Sequence, residues 1–150
     1  MPIFNQTRLV ELTPTITAGA YSAGDVIGGL LAFDVFSPGG GGSIRRITLI
    51  DADDEKAPLK LYLFSSAPGS LADNAAFVLP TADLRKLIDV VTVSASDYAS
   101  LNGDAYAVKR DLEVDYPNTN GKLYAYLVCD GTPTYGATND LTVRLTLWAD

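Results

Sequence analysis

The chain has 150 residues, 47% of them hydrophobic and 19% charged. This length suits one domain with a full core, and this composition excludes a disordered chain. A formal net charge of −7 and a sequence pI near 4.4 argue against a nucleic-acid partner, because a phosphate backbone would repel such a surface.

In chain order, an N-terminal arm carrying the first strand is expected over residues 1–17, followed by a single sandwich domain over 18–150. The first strand covers Arg8–Thr13. Ala20–Gly29 carries three glycines around Val26 and Ile27, the pattern of an ordered loop running into a strand, and the strand itself covers Leu30–Phe36. Gly39-Gly-Gly-Gly-Ser43 after Pro38 reads as a flexible hairpin linker. Ile44–Ile50 and Leu59–Phe64 read as the two strands of a hairpin, with Leu59, Leu61 and Leu63 facing the core. Their connection, Asp51–Pro58, is rich in turn-forming residues.

Thr81–Leu87 is expected to form one helical turn capped by Thr81. A strand follows at Ile88–Ser94. Ala105–Tyr116 reads as one long strand, with Tyr106, Val108, Leu112 and Val114 inward around Arg110. Its outer face would carry Lys109, Asp111, Glu113 and Asp115. Lys122–Cys129 is another strand. The C-terminal run alternates most cleanly: Leu141, Val143, Leu145 and Leu147 point one way, Thr142, Arg144, Thr146 and Trp148 the other. Short alternating runs separated by Gly, Pro, Asn and Asp predict an all-β fold. The expected form is a two-sheet antiparallel β-sandwich of jelly-roll type with at most one or two short helical turns.

The inventory for chemistry is thin. The chain has no histidine and one cysteine. Ser-His and Cys-His nucleophiles and Cys-His zinc sites are therefore absent before geometry is considered. Cys129 lies in an apolar run and is expected to be a small core residue. Asp51-Ala-Asp-Asp-Glu55 fails as a calcium loop, since Lys56 and Tyr62 stand where glycine and a carboxylate ligand are required. Gly19–Gly24 has the outer spacing of a phosphate loop, but Asp25 follows it and would repel a phosphate. No apolar run approaches the roughly 18 residues of a membrane span, and Met1–Arg8 lacks the pattern of an export leader. The expectation is a protein without enzymatic activity, cofactor, bound metal, nucleic-acid partner or membrane partner.

What remains is surface. The eleven basic residues are scattered along the chain, which again disfavours a nucleic-acid ligand. Tyr21, Tyr124, Tyr126, Tyr135 and Trp148 combine apolar area with a polar handle, which suits protein interfaces. Trp148, on the face opposite the leucines, is the strongest candidate for an anchor.

Ala20-Tyr-Ser-Ala-Gly-Asp-Val-Ile-Gly-Gly-Leu30 resembles a segment of small virion proteins of tailed bacteriophages. Ile44–Asp51, Leu59–Phe64, Ala67-Pro68 and Asp73-Asn74 extend the resemblance, and Gly131–Leu145 is its most specific part. Together they span about residues 21–147. The resemblance implies a capsid decoration, or cement, protein: a β-sandwich body, a homotrimer, and a position on the outer face of the virion shell against the major capsid protein. It transfers no functional residues. The alternative is another virion module, in the tail, in head completion, or in receptor or glycan binding. An arm over Met1–Thr17 is expected to reach a neighbouring subunit.

Overall fold

The computed structural model describes residues 6–36 and 39–149. Ten strands build two antiparallel sheets: β1 (Thr7–Leu12), β2 (Val26–Asp34), β3 (Gly41–Asp51), β4 (Leu59–Phe64), β5 (Leu87–Val93), β6 (Tyr98–Leu101), β7 (Asp104–Lys109), β8 (Val114–Pro117), β9 (Lys122–Cys129) and β10 (Leu141–Ala149). A single turn of helix, α1 (Thr81–Leu84), precedes β5. The six-stranded sheet runs β1-β10-β3-β7-β6, with β8 also on β3, and the four-stranded sheet runs β2-β9-β4-β5.

This order is that of a jelly roll. Consecutive strands β1 to β4 alternate one by one between the sheets, and the last two strands insert beside them: β10 between β1 and β3, β9 between β2 and β4. That nesting is what two interleaved Greek keys produce. The position usually taken by one strand next to β3 is shared here by β7 and β8, with β6 added as a hairpin partner of β7.

Alternation explains why the sheets face one another. Leu141, Val143, Leu145 and Leu147 of β10 meet Leu59, Leu61 and Leu63 of β4 and Leu123, Ala125 and Leu127 of β9 in one buried cluster. The four-stranded sheet also buries its outer face. Segment 65–86 folds back over it, and Leu71, Phe77 and Leu79 pack on Val26, Phe64, Tyr126 and Val128.

Several expectations need correction. Ile44–Ile50 and Leu59–Phe64 do not form a hairpin, because β3 and β4 lie in different sheets. Asp51–Pro58 instead crosses between the layers, and the buried Asp51 carboxylate holds it by accepting the N–H groups of Asp53 (3.0 Å) and Lys56 (3.0 Å). The glycine linker is mostly strand: β3 begins at Gly41, where Gly42 lets Tyr116 pack against its backbone. Ser37 and Pro38 lie outside the described residues. Thr81 does not cap α1, whose N-cap is Pro80 without a side-chain bond. Nearby Asp83 accepts instead from Gly69 N–H (2.9 Å) and Lys86 Nζ (2.9 Å). Ala105–Tyr116 is two strands, and in β7 the phase is opposite to expectation: Ala105 and Ala107 are buried, while Tyr106 is exposed. The first strand, by contrast, lies where it is expected, with Thr7–Leu12 pairing with β10, and Ile16 beyond it is buried; Met1–Asn5 lies outside the described residues.

At one end of the sandwich, a polar pin ties three segments together. The Asp73 carboxylate accepts Tyr21 Oη (2.7 Å), Thr17 Oγ1 (2.5 Å) and Gly28 N–H (2.6 Å), and the Tyr21 oxygen accepts Thr17 N–H (2.7 Å). Gly28 sits at φ +84°, in the bulge where β2 departs from its register with β9. A Cβ there would meet Pro14 Cβ at 2.6 Å, so no other residue fits without movement.

Burial, reinforced by the Asp73 hydrogen bond, pushes the Tyr21 hydroxyl from its ordinary value near 10 up to about 12. Burial also raises Tyr98 and Tyr135. The folded state thus keeps these phenols neutral where the unfolded chain ionises them. The stabilisation is complete below pH 10 and is lost as pH rises toward the folded values. Denaturant unfolding should therefore show stability declining above pH 10, with a shallower decline in Tyr21→Phe; a flat profile from pH 8 to 12 would contradict this account.

Candidate functional site

Strand β3 carries an irregularity that shapes the outer face of the six-stranded sheet. Thr146 pairs with Arg46 and Leu147 with Ile44, leaving Arg45 as an extra residue opposite β10. A strand bulge of this kind bends the chain and re-aims side chains. Ile44 and Ile47 both reach the core although three positions apart, and Arg45 and Arg46 both line the same outer cavity.

The partner on the other side of β3 changes at the same place. Ile47–Asp51 pair with β7 and Gly41–Ile44 with β8. Between these strands the chain loops out over Arg110–Glu113, using a left-handed backbone at Asp111 (φ 56°). Leu112 N–H donates to Arg45 C=O (3.1 Å), which fastens the loop to the bulge.

Bulge, loop and the end of β10 enclose a cavity of about 280 Å³ lined by Arg45, Arg46, Asp111, Leu112, Glu113, Thr146 and Trp148. The Arg45 guanidinium lies 4.4 Å from the centre of the Trp148 ring, a cation–π contact that holds both groups in place. Arg45 Nη1 reaches Glu113 at 3.4 Å, a long contact to a side chain that is 80% exposed, so it adds little. Arg45 Nε is buried without a hydrogen-bond partner.

The same face carries further apolar area. Leu9 of β1 stands beside Thr146, and Tyr106 of β7 beside Ile50; Leu9, Tyr106 and Trp148 are 62%, 42% and 41% exposed. Beside them, Arg144 is paired with Glu11 at 2.7 Å. An exposed set of Trp, Tyr, Leu and Arg is the composition of a protein-contact surface.

The five aromatic candidates are not brought together. Trp148 lies on this face as expected. Tyr21, Tyr126 and Tyr135 are corrected to core residues, each 2% exposed or less. The Tyr126 hydroxyl donates to Gly69 C=O (2.5 Å) and accepts Leu71 N–H (2.9 Å), pinning segment 65–86 to its sheet. Tyr21 and Tyr135 meet edge to face at 5.9 Å. Tyr124 is half-buried on the outer side of the other sheet, where Asn120 Nδ2 donates to its hydroxyl (3.2 Å). Alternation told which side of a strand each Tyr occupies, but not that a loop covers one of those sides.

Sequence reasoning missed Arg45, Arg46, Leu9 and Tyr106 as members of the site. One signal was present: in Ile44-Arg-Arg-Ile47-Thr-Leu49 the apolar spacing is three and then two, which a regular strand with one buried face cannot accommodate. Among the described residues there is no group of three or more His, Cys, Asp or Glu positioned to hold a metal ion. Nor is any of their helices long and apolar enough to cross a membrane. Buried Cys129 donates to Gly131 C=O (2.9 Å), and burial pushes its thiol up, away from the reactive thiolate.

No family model matches the chain, and no curated protein matches its sequence. Distant likenesses to solved structures include a sugar-binding domain and a virus. The C-terminal domain of EclA, a sugar-binding protein, is 12% identical and aligns over 98% of this chain and 81% of its own, with a TM-score of 0.26. A marine algae virus of the order Picornavirales is 12% identical and aligns over 97% of this chain and 69% of its own, with a TM-score of 0.30. Likenesses this distant add nothing to the strand order and register described above.

The contrast between core and surface tyrosines is measurable. Tyr126→Phe should cost about 1–3 kcal/mol in denaturant unfolding, because the Leu71 N–H and Gly69 C=O lose their partner. Tyr106→Phe, on the open face, should stay within about 0.5 kcal/mol. Equal costs would contradict the assignment of the two residues.

Proposed function

We propose that the protein is a non-enzymatic virion structural protein of the capsid-decoration type, docking on the major capsid protein through the outer face of its six-stranded sheet. The observation that carries this reading is the asymmetry of the sandwich. One outer face is covered by the chain's own segment 65–86, while the other presents Leu9, Tyr106 and Trp148 around a preorganised arginine. The resemblance of residues 21–147 to small phage virion proteins supplies the partner and the virion location.

Two features support the reading. The chain contains no histidine and a single, buried cysteine, which removes the Ser-His and Cys-His nucleophile pairs. Three of its eleven basic residues, Arg45, Arg46 and Arg144, gather on the Trp148 face although the chain as a whole carries −7. An acidic protein can approach another protein there without presenting its full negative field. Assembled as a homotrimer, three copies of one modest interface would bind together with high effective concentration, and no deep pocket is needed.

The test is co-sedimentation of purified protein with heads of its own phage that lack it, with bound copies counted. Saturation at hundreds of copies per head is expected, with clearly reduced binding for Trp148→Ala and for Leu9→Glu, each checked as folded by circular dichroism. A handful of copies would indicate a portal or tail position instead. No binding, or full binding by both variants, would overturn the docking face.

A further inference from the structure

We infer that the cavity at the β3 bulge is a receptor for a single carboxylate side chain, an aspartate or glutamate presented by the partner protein. This deepens the docking reading and rests on it for the identity of the partner, although the site's chemistry can be tested without any shell.

Three observations lead to it. First, the bulge brings two adjacent arginines, Arg45 and Arg46, into the lining of one cavity; a regular strand would send their side chains to opposite faces. Second, these guanidinium groups are under-used. Arg46 is exposed and, like Arg8, Arg85 and Arg110 but unlike the other basic residues, makes no ion pair among the described residues; of these four it is the one that lines the cavity. Arg45 has only the 3.4 Å contact to Glu113, and its buried Nε has no hydrogen-bond partner. Third, the donor is already ordered: the Trp148 ring at 4.4 Å and the Leu112 bond to the Arg45 carbonyl hold the arginine before any ligand arrives. Preorganised guanidinium forks recognise carboxylates in bidentate fashion.

Size and charge narrow the ligand. About 280 Å³ is at the lower end of the range for small-molecule pockets, roughly 300–1,000 Å³, and has room for one carboxylate side chain. Asp111 and Glu113 at the rim set the selectivity. They balance the two arginines, so a free multivalent anion gains no long-range attraction. An incoming carboxylate instead takes the place that Glu113 holds weakly. The contact is local and geometric, with modest affinity for one site, and becomes tight only when copies act together.

Trp148 is the chain's only tryptophan, so its fluorescence reports on this cavity alone. The experiment titrates the full-length protein at pH 7 with N-acetylglutamate and in parallel with N-acetylglutamine, both capped at the α-carboxyl as N-methylamides so that the side-chain carboxylate alone distinguishes them, and with sodium chloride at matched ionic strength. The expected result is a saturable change in Trp148 emission with N-acetylglutamate only. Arg46→Gln should weaken it by about tenfold or more, the loss of one charged hydrogen-bonding partner. Arg85→Gln, an exposed arginine beside α1, should leave it unchanged. The same response to N-acetylglutamine or chloride, no response to N-acetylglutamate, or an undiminished response in Arg46→Gln would overturn the inference. A positive titration with failed shell co-sedimentation would keep the carboxylate site and remove the virion partner. A negative titration with successful co-sedimentation would do the reverse.

Discussion

Strand β3 is hydrogen-bonded to β10 along one side and to β7 and then β8 along the other. Its apolar residues have to face the core on both sides of the point where that second partner changes. The strict two-residue period of a strand does not allow this for Ile44 and Ile47, and one extra residue restores it. Arg45 is that residue. The same irregularity turns Arg45 outward beside Arg46, leaves room for the Arg110–Glu113 loop, and brings Trp148 under a guanidinium. A device that keeps the core in register also makes the outer cavity.

The two outer faces of the sandwich are finished differently. On the four-stranded sheet, Tyr126 carries a ring that packs edge to face against Phe64 and Phe77 and a hydroxyl that holds both Gly69 and Leu71. The long connection between β4 and β5 is therefore part of the fold, with a small second core beneath it. On the six-stranded sheet nothing comparable folds back among the described residues. Antiparallel sheets commonly leave one face to water, but such faces are usually polar, and this one carries Leu9, Tyr106 and Trp148.

The elements that could be read from the sequence are those where one periodicity held from end to end. β4 and β9 match the expected residues, and the inward leucines of β10 are all buried. The sandwich class and jelly-roll type followed from counting such runs. Reading failed where tertiary pairing overrides local pattern. The turn-rich Asp51–Pro58 segment looks like a hairpin because hairpins and sheet-to-sheet crossings use the same turn residues, and only the pairing partner tells them apart. Ala105 and Ala107 were passed over as core residues because the larger Tyr106 and Val108 alternate with them. The break after Lys109 then shifts the phase, so Val114 and Tyr116 point inward again. Tyr21, Tyr126 and Tyr135 were taken for surface because tyrosine has a polar end; in the folded chain, burial of the ring outweighs it. Of the proposed docking face, only Trp148 was legible as a candidate.

The claim that most needs testing is that the six-stranded sheet, rather than the loop-covered sheet, meets the shell. Oxidative footprinting of the protein, free and bound to phage heads, compares the two directly through residues on each side. The account predicts that Trp148 and Tyr106 become protected on binding while half-buried Tyr124, on the opposite sheet, keeps its free-state reactivity. Protection of Tyr124 with Trp148 and Tyr106 unchanged would place the interface on the other side of the sandwich and contradict the account.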